Sequence, residues 1–543
     1  MRGLKAYSLK RFEWESSSLD SLAMQKLEDQ FLAGLAESYD RQPYFSNVFP
    51  WSAPGYVRAA AHLYGIQTPP VANARILELG CAAGGNCIPI ASLYPDAEVV
   101  GVDISTRQIA AGQRVIEQAG LTNIRLLNHC FSRLPKDLGQ FDYIIAHGVW
   151  SWVPEVVQQA LLQVCQQHLQ PQGAAYISFN TYPGWKLQEV FREAMLFHCQ
   201  QYGAPTHVER AREILPFFMH GLAAENPLQE ALVAQAGKVP SGAENDYYIA
   251  HEYLELHNLP IYLQDFVQRL ARHDLHHVGD VELRNECAQR YGDEFAQHFE
   301  LFAQGHKGVV RQQYLDFAVG RQFRKSLVVH QAWAAHQKPE ADLNRLKDLQ
   351  FAGWFELQCQ NKDSQERPII SFYHTLQQET LRVDDPVHQT WLKYLHECWP
   401  RPVSGRDLLR IAAQTHPEYD AQELDYRFQR LYVQVPLSLS RSYEDLPPCL
   451  HDLYEGLIPG VYPLMIARQN HALGMGDFNA WFQTSTAQFD SIQHLILKGL
   501  AQQLDWTQIA ITVCAQHPEI EPNQAHQTID DLVANLRKYA LYI

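Results

Sequence analysis

The sequence has no Cys-x-x-Cys pair, no long apolar run and no excess of positive charge. Its ten cysteines stand singly along 543 residues. That excludes a zinc knuckle and a dense disulfide framework, and it points to a reduced, cytoplasmic setting. No stretch reaches the ~18 apolar residues that a membrane-spanning helix needs, so no membrane span is expected. Residues 1–18 lack the apolar centre of a signal peptide. Against 60 Asp and Glu there are only 44 Lys and Arg, a net charge of −16. Such a chain lacks the cationic footprint of a non-specific nucleic-acid binder, and no nucleic-acid partner is expected.

What is present suits folded domains. Hydrophobic residues make up 46% and charged residues 19%, close to the globular average. At ~100–200 residues per domain the length allows roughly three or four units.

The first informative stretch begins at Arg75. A short apolar strand, Ile76 to Leu79, runs into the small-residue turn Gly80-Cys81-Ala82-Ala83-Gly84-Gly85-Asn86 and then into a helix-like segment. Small residues let backbone approach a ligand, and the helix N-terminus offers free N–H groups. About twenty residues on, Glu98-Val-Val-Gly-Val-Asp103 is a second buried strand ending in a carboxylate that can accept both ribose hydroxyls. Ser105 and Gln108 form a capping-box pattern, and Gly120 is a helix stop. Further strands follow at Asn123–Asn128, Phe141–Ala146 and Gly173–Asn180, with a helix from Pro154 to about Leu169 before the last. Alternation of this kind predicts an α/β fold, a doubly wound, mostly parallel Rossmann-like sheet with ligands at the strand C-termini.

A dinucleotide fingerprint needs glycine at 80, 82 and 85, and position 82 is alanine. The competing pattern, acidic-x-Gly-x-Gly-x-Gly, is met by Glu78, Gly80, Ala82 and Gly84, again with alanine in the middle. A carboxylate two residues before Gly80 suits a methionine ammonium better than a pyrophosphate. S-Adenosyl-L-methionine (SAM), leaving as S-adenosyl-L-homocysteine, is therefore favoured over a dinucleotide.

Four segments carry a closer resemblance: Tyr39-Asp-Arg-Gln-Pro-Tyr44, Glu78-Leu-Gly-Cys-Ala-Ala-Gly-Gly-Asn86, His147-Gly-Val-Trp-Ser-Trp-Val-Pro154 and Asn180-Thr-Tyr-Pro-Gly-Trp185. They resemble the bacterial class I SAM-dependent methyltransferases that carry a methyltransferase regulatory domain, among them the rickettsial outer-membrane protein lysine methyltransferases. Asn245–Glu255 and Gln313–Leu327 resemble the two signature segments of the regulatory domain. The resemblance implies a SAM-binding catalytic domain over 1–200, a regulatory, substrate-capping domain over 201–335, and a winged-helix-like α+β region over 336–543. It implies methyl transfer, with protein lysine as the acceptor or, alternatively, a small molecule. A third possibility is a SAM-binding regulator without turnover.

For the cofactor the expected residues are Glu78, Gly80, Cys81, Ala82, Gly84, Asn86, Asp103, Ile104, Asn128 and His147. Asn128 stands where such enzymes often have an acidic residue for the adenine amine. For the acceptor they are Tyr39, Tyr44, Trp150, Trp152, Asn180, Trp185, Tyr248, His251 and Tyr253, by position at strand ends or by aromatic and acidic character beside a cation. Asp246–Tyr253 equally suits a helix packed at a domain interface. Tyr182 is the expected catalytic residue, orienting the acceptor, with His147 as a reserve base.

No metal is expected. His251-Glu-Tyr-Leu-Glu-Leu-His257 places its second histidine six residues on, off the face that HExxH requires. Asp274, His276, His277 and Asp280 are expected on a solvated turn and edge strand. Segments 260–275 and 311–330 are expected as helices, and 335–350 as a polar linker.

Overall fold

The computed structural model describes residues 33–34, 36–37, 39–41, 43–202, 208–239, 246–255, 257–362, 368–374, 379–435, 440–442, 446–451, 454–469, 477–485 and 489–543. The N-terminal eighteen residues and positions 240–245 lie outside these.

Seven strands form the central sheet. They are β1 (Arg75–Leu79), β2 (Glu98–Asp103), β3 (Ile124–Asn128), β4 (Phe141–Ala146), β5 (Leu169–Asn180), β6 (Leu275–Asp280) and β7 (Phe323–His330). Their order is β3-β2-β1-β4-β5-β7-β6. The first five are parallel, while β7 pairs antiparallel with both β5 and β6. The strand order reverses between β1 and β4, and there the C-terminal ends open the crevice that holds ligands in such sheets.

Helices cover both faces: α1 (Pro54–Leu63), α2 (Cys87–Leu93), α3 (Thr106–Ala119) and α4 (Glu155–His168). Strands buried on both sides read as nearly unbroken apolar runs, as Val99, Val100 and Val102 show. Ser105 caps α3 by accepting the Gln108 N–H, and Gly120 closes it in the left-handed region at φ 65°.

Two expectations change at the end of the sheet. The segment 311–330 is helix only over Gly308–Val319, and Phe323–His330 is a strand. Leu327, Val328 and Val329 are fully buried there, and the β-branched valines suit a central strand better than a helix. Likewise Leu263–Ala271 is helix but Leu275–Asp280 is strand. Because β6 and β7 follow residue 200, the boundary expected there does not separate the sheet from the segment after it. The edge-strand position of 275–280 matches expectation, but the solvated surface does not: His277 and Asp280 are buried.

Asp280 accepts the backbone N–H groups of Glu282 and Lys325 at 2.9 and 3.1 Å, with Arg324 4.0 Å away. The fully buried Arg324 guanidinium donates to both Asp316 oxygens at 2.7 and 2.9 Å and to Glu286 at 2.8 Å. This network ties β7 to the helix that precedes it.

Between β5 and β6 stands a helical insert: α5 (Trp185–Gln201), α6 (Val208–Glu213), α7 (Leu215–His220), α8 (Gln229–Ala236), α9 (Asp246–Tyr253) and α10 (Leu263–Ala271). The insert has its own core, with Phe191, Met195, Phe218, Leu232, Ile249 and Tyr253. The polar stretch 335–350 is not a free linker. Lys338 and Asp342 donate backbone N–H groups to the carbonyls of Tyr64 and Leu63 at the end of α1. The C-terminal region carries small antiparallel sheets and helices, including Pro386–Cys398, Gly405–Thr415 and Ala421–Gln434. One hairpin, β8 (Asp477–Phe478) and β9 (Thr484–Ser485), reaches the N-terminal residues through a hydrogen bond from Thr484 to the Val48 carbonyl.

Candidate active site

The loop after β1 is bent by left-handed residues: Gly80 at φ 74°, Ala82 at 50° and Gly84 at 82°. At Gly80 the need for glycine is double, since a Cβ would also lie 2.5 Å from Val149 Cγ2. Ala82 donates its N–H to Asp103 Oδ2 at 2.8 Å, and Ser105 donates to Asp103 Oδ1 at 2.8 Å. Both oxygens are thus held by backbone while the carboxylate lines the cavity. Burial pushes the Asp103 carboxyl up, and the Ser105 and Ala82 N–H groups oppose it.

Glu78 lies beneath the loop. Asn86 donates to its Oε1 at 3.1 Å and the Cys87 thiol to its Oε2 at 2.7 Å. Burial raises its carboxyl to about 7, against those two hydrogen bonds. Asn86 also accepts the Phe49 N–H at 3.2 Å and donates to Ser52 at 3.1 Å. Ser46 accepts the Gly85 N–H at 2.8 Å. Residues 46–52 therefore form a strap laid across the loop. Earlier in the strap, Asp40 accepts the Ser105 hydroxyl at 2.6 Å and the Arg107 N–H at 3.1 Å at the start of α3.

These elements enclose one cavity at the C-terminal ends of β1, β2, β4 and β5, with an empty volume of about 1320 Å³ including its open mouth. Of the residues expected for the cofactor, Glu78, Gly80, Cys81, Ala82, Asn86, Asp103, Ile104 and His147 line it. Gly84 and Asn128 do not. Asn128 instead donates its amide to the backbone carbonyls of Asp103 and Ile104 at 3.2 and 2.9 Å. Of those expected for the acceptor, Tyr39, Tyr44, Trp152, Asn180 and His251 line it.

The other aromatics support the walls. Trp150 is fully buried edge-on against Phe266, and Trp185 lies edge-on to Trp152 at 6.3 Å. Tyr253 belongs to the insert's core, with Tyr248 edge-on to it at 6.1 Å. Tyr182, expected to be catalytic, is not among the lining residues. Its hydroxyl donates to Glu189, and the Lys186 ammonium lies 3.8 Å from its ring centre. The residue follows β5 too closely for sequence to tell which way it turns.

His147 does line the cavity, 3.8 Å from the Phe49 ring centre, with Nδ1 3.0 Å from the Tyr176 hydroxyl. Burial, with Lys325 nearby, lowers it to about 3, so it is neutral at physiological pH. A base so weak is poorly suited to proton abstraction from an ammonium.

Three lining side chains carry a buried polar atom without a hydrogen-bond partner: Asn47 Oδ1, Gln108 Oε1 and His251 Nε2. Folded proteins seldom leave such atoms unpaired except where a ligand or water serves them. The cavity fits SAM on these grounds. Asp103 offers acceptors for ribose hydroxyls, Gln108 Oε1 an unused acceptor beside it, and Glu78 a negative charge. Sequence reading took Gln108 for a helix cap alone, and it missed Ser46, Asn47 and Phe49, whose role depends on a strap folding back over the loop.

A second group of lining residues has a different character. His251 Nδ1 pairs with Glu255 Oε1 at 3.0 Å, Tyr39 stacks on the imidazole at 6.4 Å, and Tyr44 meets it edge-on at 5.2 Å. Glu252 and Glu255 join the lining, and burial raises the Glu252 carboxyl to about 7. No Lys or Arg lines the cavity among the described residues.

The sheet and the acidic, small-residue loop define a class I methyltransferase domain. A family model described as a methyltransferase domain matches residues 76–173, and one described as a predicted methyltransferase regulatory domain matches 245–330. Two uncharacterised proteins of Rickettsia prowazekii are similar. RP028 is 36% identical over 237 residues, 43% of this chain and 94% of that one. RP789 is 37% identical over 296 residues, 54% of this chain and 52% of that one, so the chain spans about half the length of this relative. The solved structure of PKMT2 from Rickettsia typhi in complex with AdoHcy has the same fold, with a TM-score of 0.73 and 23% identity over 92% of this chain and all of that one. The chain belongs to the bacterial SAM-dependent methyltransferases that carry a methyltransferase regulatory domain, the family it shares with RP028. The regulatory segment, 245–330, supplies both α9 at the cavity and the last two strands of the sheet.

Proposed function

We propose that the protein methylates lysine side chains of a protein acceptor. The observation that carries this is the acidic and aromatic end of the cavity: Glu252, Glu255, Tyr39, Tyr44 and Trp152, with no cationic side chain on the described lining. Carboxylates and ring faces attract an ammonium, and an apolar wall accepts its methylene stem.

SAM supplies an electrophilic methyl group. The chain's residues hold the two reactants and exclude water. Asp103, Gln108 and Glu78 hold the cofactor end, and the strap closes over it through Ser46 and Phe49. The insert presents the acceptor end on α9. Alignment of this kind replaces a bimolecular encounter with a fixed approach. A lysine at its ordinary pKa of ~10.4 is almost wholly protonated at neutral pH, which costs roughly 4–5 kcal/mol if the amine must be neutral. Desolvation in a closed cavity lowers that cost.

The cytoplasm is the setting proposed, since all ten cysteines are free thiols and no described helix is long and apolar enough to cross a membrane.

The test is incubation with tritiated SAM and a bacterial extract divided into protein and low-molecular-mass fractions. Label recovered as methyllysine after hydrolysis of the protein fraction supports the reading. Label confined to the small molecules replaces it with the metabolite alternative, and binding of SAM without transfer to either replaces it with a regulator.

A further inference from the structure

We infer that His251 is the proton acceptor for the methyl-accepting amine and that Glu255 is its positioning residue. The inference rests on the acceptor being a primary amine.

His251 is 6% exposed, and its side chain lines the cavity. Its Nδ1 is committed to Glu255 Oε1 at 3.0 Å. Paired with a carboxylate, Nδ1 carries the hydrogen, and Nε2 keeps its lone pair. That Nε2 is buried without a partner. The arrangement is that of an imidazole whose tautomer and orientation are set by a carboxylate while the second nitrogen is free to take a proton. The ring is fixed on its other sides by Tyr39 and Tyr44. Arg192 of α5 donates to the Glu255 backbone carbonyl, which pins the end of this segment.

The charged and titratable groups of this cluster are Glu252, Glu255 and His257 on or just after the same segment, Tyr39 and Tyr44 against the ring, Asp103 coupled through Tyr39, and Arg192 on α5. Arg212 of α6 is engaged by Asp246, 2.9 Å away at the other end of α9. Burial and the charges of Glu255 and then Asp103 raise the Tyr39 hydroxyl, so it stays protonated and does not compete for the proton.

In the step itself one N–H bond of the bound ammonium breaks. The electron pair stays on nitrogen as the attacking lone pair, and the proton passes to His251 Nε2. The imidazolium, held by Glu255, later gives the proton to water. Above the value of about 7 to which burial raises it, Glu252 is ionised and attracts the ammonium. His147 is not used, since burial, with Lys325 nearby, holds its imidazole down to about 3.

The experiment uses full-length protein labelled with carbon-13 at histidine Cε1 and saturated with S-adenosylhomocysteine, titrated with N-acetyl-lysine methylamide at mildly alkaline pH. One signal, absent from His251→Gln, should move toward the imidazolium position. A bound probe with that signal unmoved overturns the inference while leaving the amine reading intact. A probe that does not bind overturns both. In turnover on the labelled protein fraction, His251→Gln should lower kcat by ~10²–10⁴-fold with cofactor affinity unchanged, and the acid limb of the kcat profile should disappear. Glu255→Gln should lower kcat less and shift that limb. Native kcat and an unaltered profile in both variants overturn the assignment.

Discussion

The backbone N–H of Ala82 donates to the Asp103 carboxylate at 2.8 Å. One side chain thus fastens the loop after β1 to the end of β2, and its second oxygen takes the Ser105 N–H at the start of α3. Charge-assisted hydrogen bonds are worth about 1.5–3 kcal/mol each, and the same carboxylate faces the cavity. Asp103→Ala should therefore weaken SAM binding by about 100-fold or more by calorimetry. Near-native affinity would remove Asp103 from the cofactor site.

The backbone of that loop gives a second prediction, with opposite signs at neighbouring positions. Ala82 occupies the left-handed region at φ 50°, where a Cβ costs about 1–2 kcal/mol. Ala82→Gly should be neutral or slightly stabilising, the relief being offset by greater unfolded-state entropy. Gly80→Ala combines the same strain with a 2.5 Å approach to Val149 and should destabilise by about 2 kcal/mol or more. Denaturant unfolding of the two variants checks the contrast. Equal effects would mean the loop relaxes freely.

Glu78 predicts a pH dependence. Its carboxyl is raised by burial from the ordinary 4.5 to about 7. The folded state holds that proton more tightly than the unfolded state, so the group's contribution is present at low pH and is lost as pH rises from about 4.5 to about 7. The loss is on the order of 3 kcal/mol. Glu78→Gln should flatten this part of the stability profile. SAM binding has the opposite sign, because a carboxylate serves an ammonium only when ionised. Affinity of the native protein should rise between about pH 6 and about pH 8, and that of the variant should not. Parallel profiles for the two proteins would refute the role.

The parallel half of the sheet was legible in the chain because β1, β2, β4 and β5 each lead through a short turn into a helix. Glu78, Gly80 and Asp103 are close to those turns, so sequence spacing found them. Phe323–His330 was misread because its apolar residues fit either period, and only pairing with β5, more than a hundred residues earlier, settles it as a strand. Gln108 shows a further limit. Its position completes a capping pattern, yet Ser105's N–H goes to Asp103 instead, which leaves Gln108 Oε1 to the cavity. His251 was legible as an acceptor-side residue, but Glu255 was not, since its place in the lining depends on how the insert folds back onto the strap.

Tyr182→Phe tests one misplaced expectation. The hydroxyl bonds to Glu189 and does not line the cavity. The variant should lose about 1 kcal/mol of stability, the worth of one hydrogen bond, and keep near-native kcat on the protein fraction. A large fall in kcat with stability intact would return Tyr182 to the reaction.

The C-terminal hairpin gives the last prediction, because it braces the strap from outside the cavity. Thr484 donates its hydroxyl to the Val48 carbonyl at 3.4 Å, and Tyr56 of α1 donates to the Trp481 carbonyl at 3.5 Å. Trp481 is buried, and its indole N–H donates to the Pro400 carbonyl at 3.0 Å. Phe482 stacks on Tyr94, just after α2, at 6.2 Å. Ser46 and Phe49 reach the cofactor loop from the same strap that this hairpin holds. Trp481→Ala should cost about 3–5 kcal/mol of stability, as a large buried aromatic does. It should also lower SAM affinity, although residue 481 does not line the cavity. Thr484→Val removes a single hydrogen bond and should do both more weakly, by about 0.5–1.5 kcal/mol. Calorimetric titration well below the melting temperature of each variant separates the two effects. Native affinity in a folded Trp481→Ala protein would show that the strap holds its place without the C-terminal region.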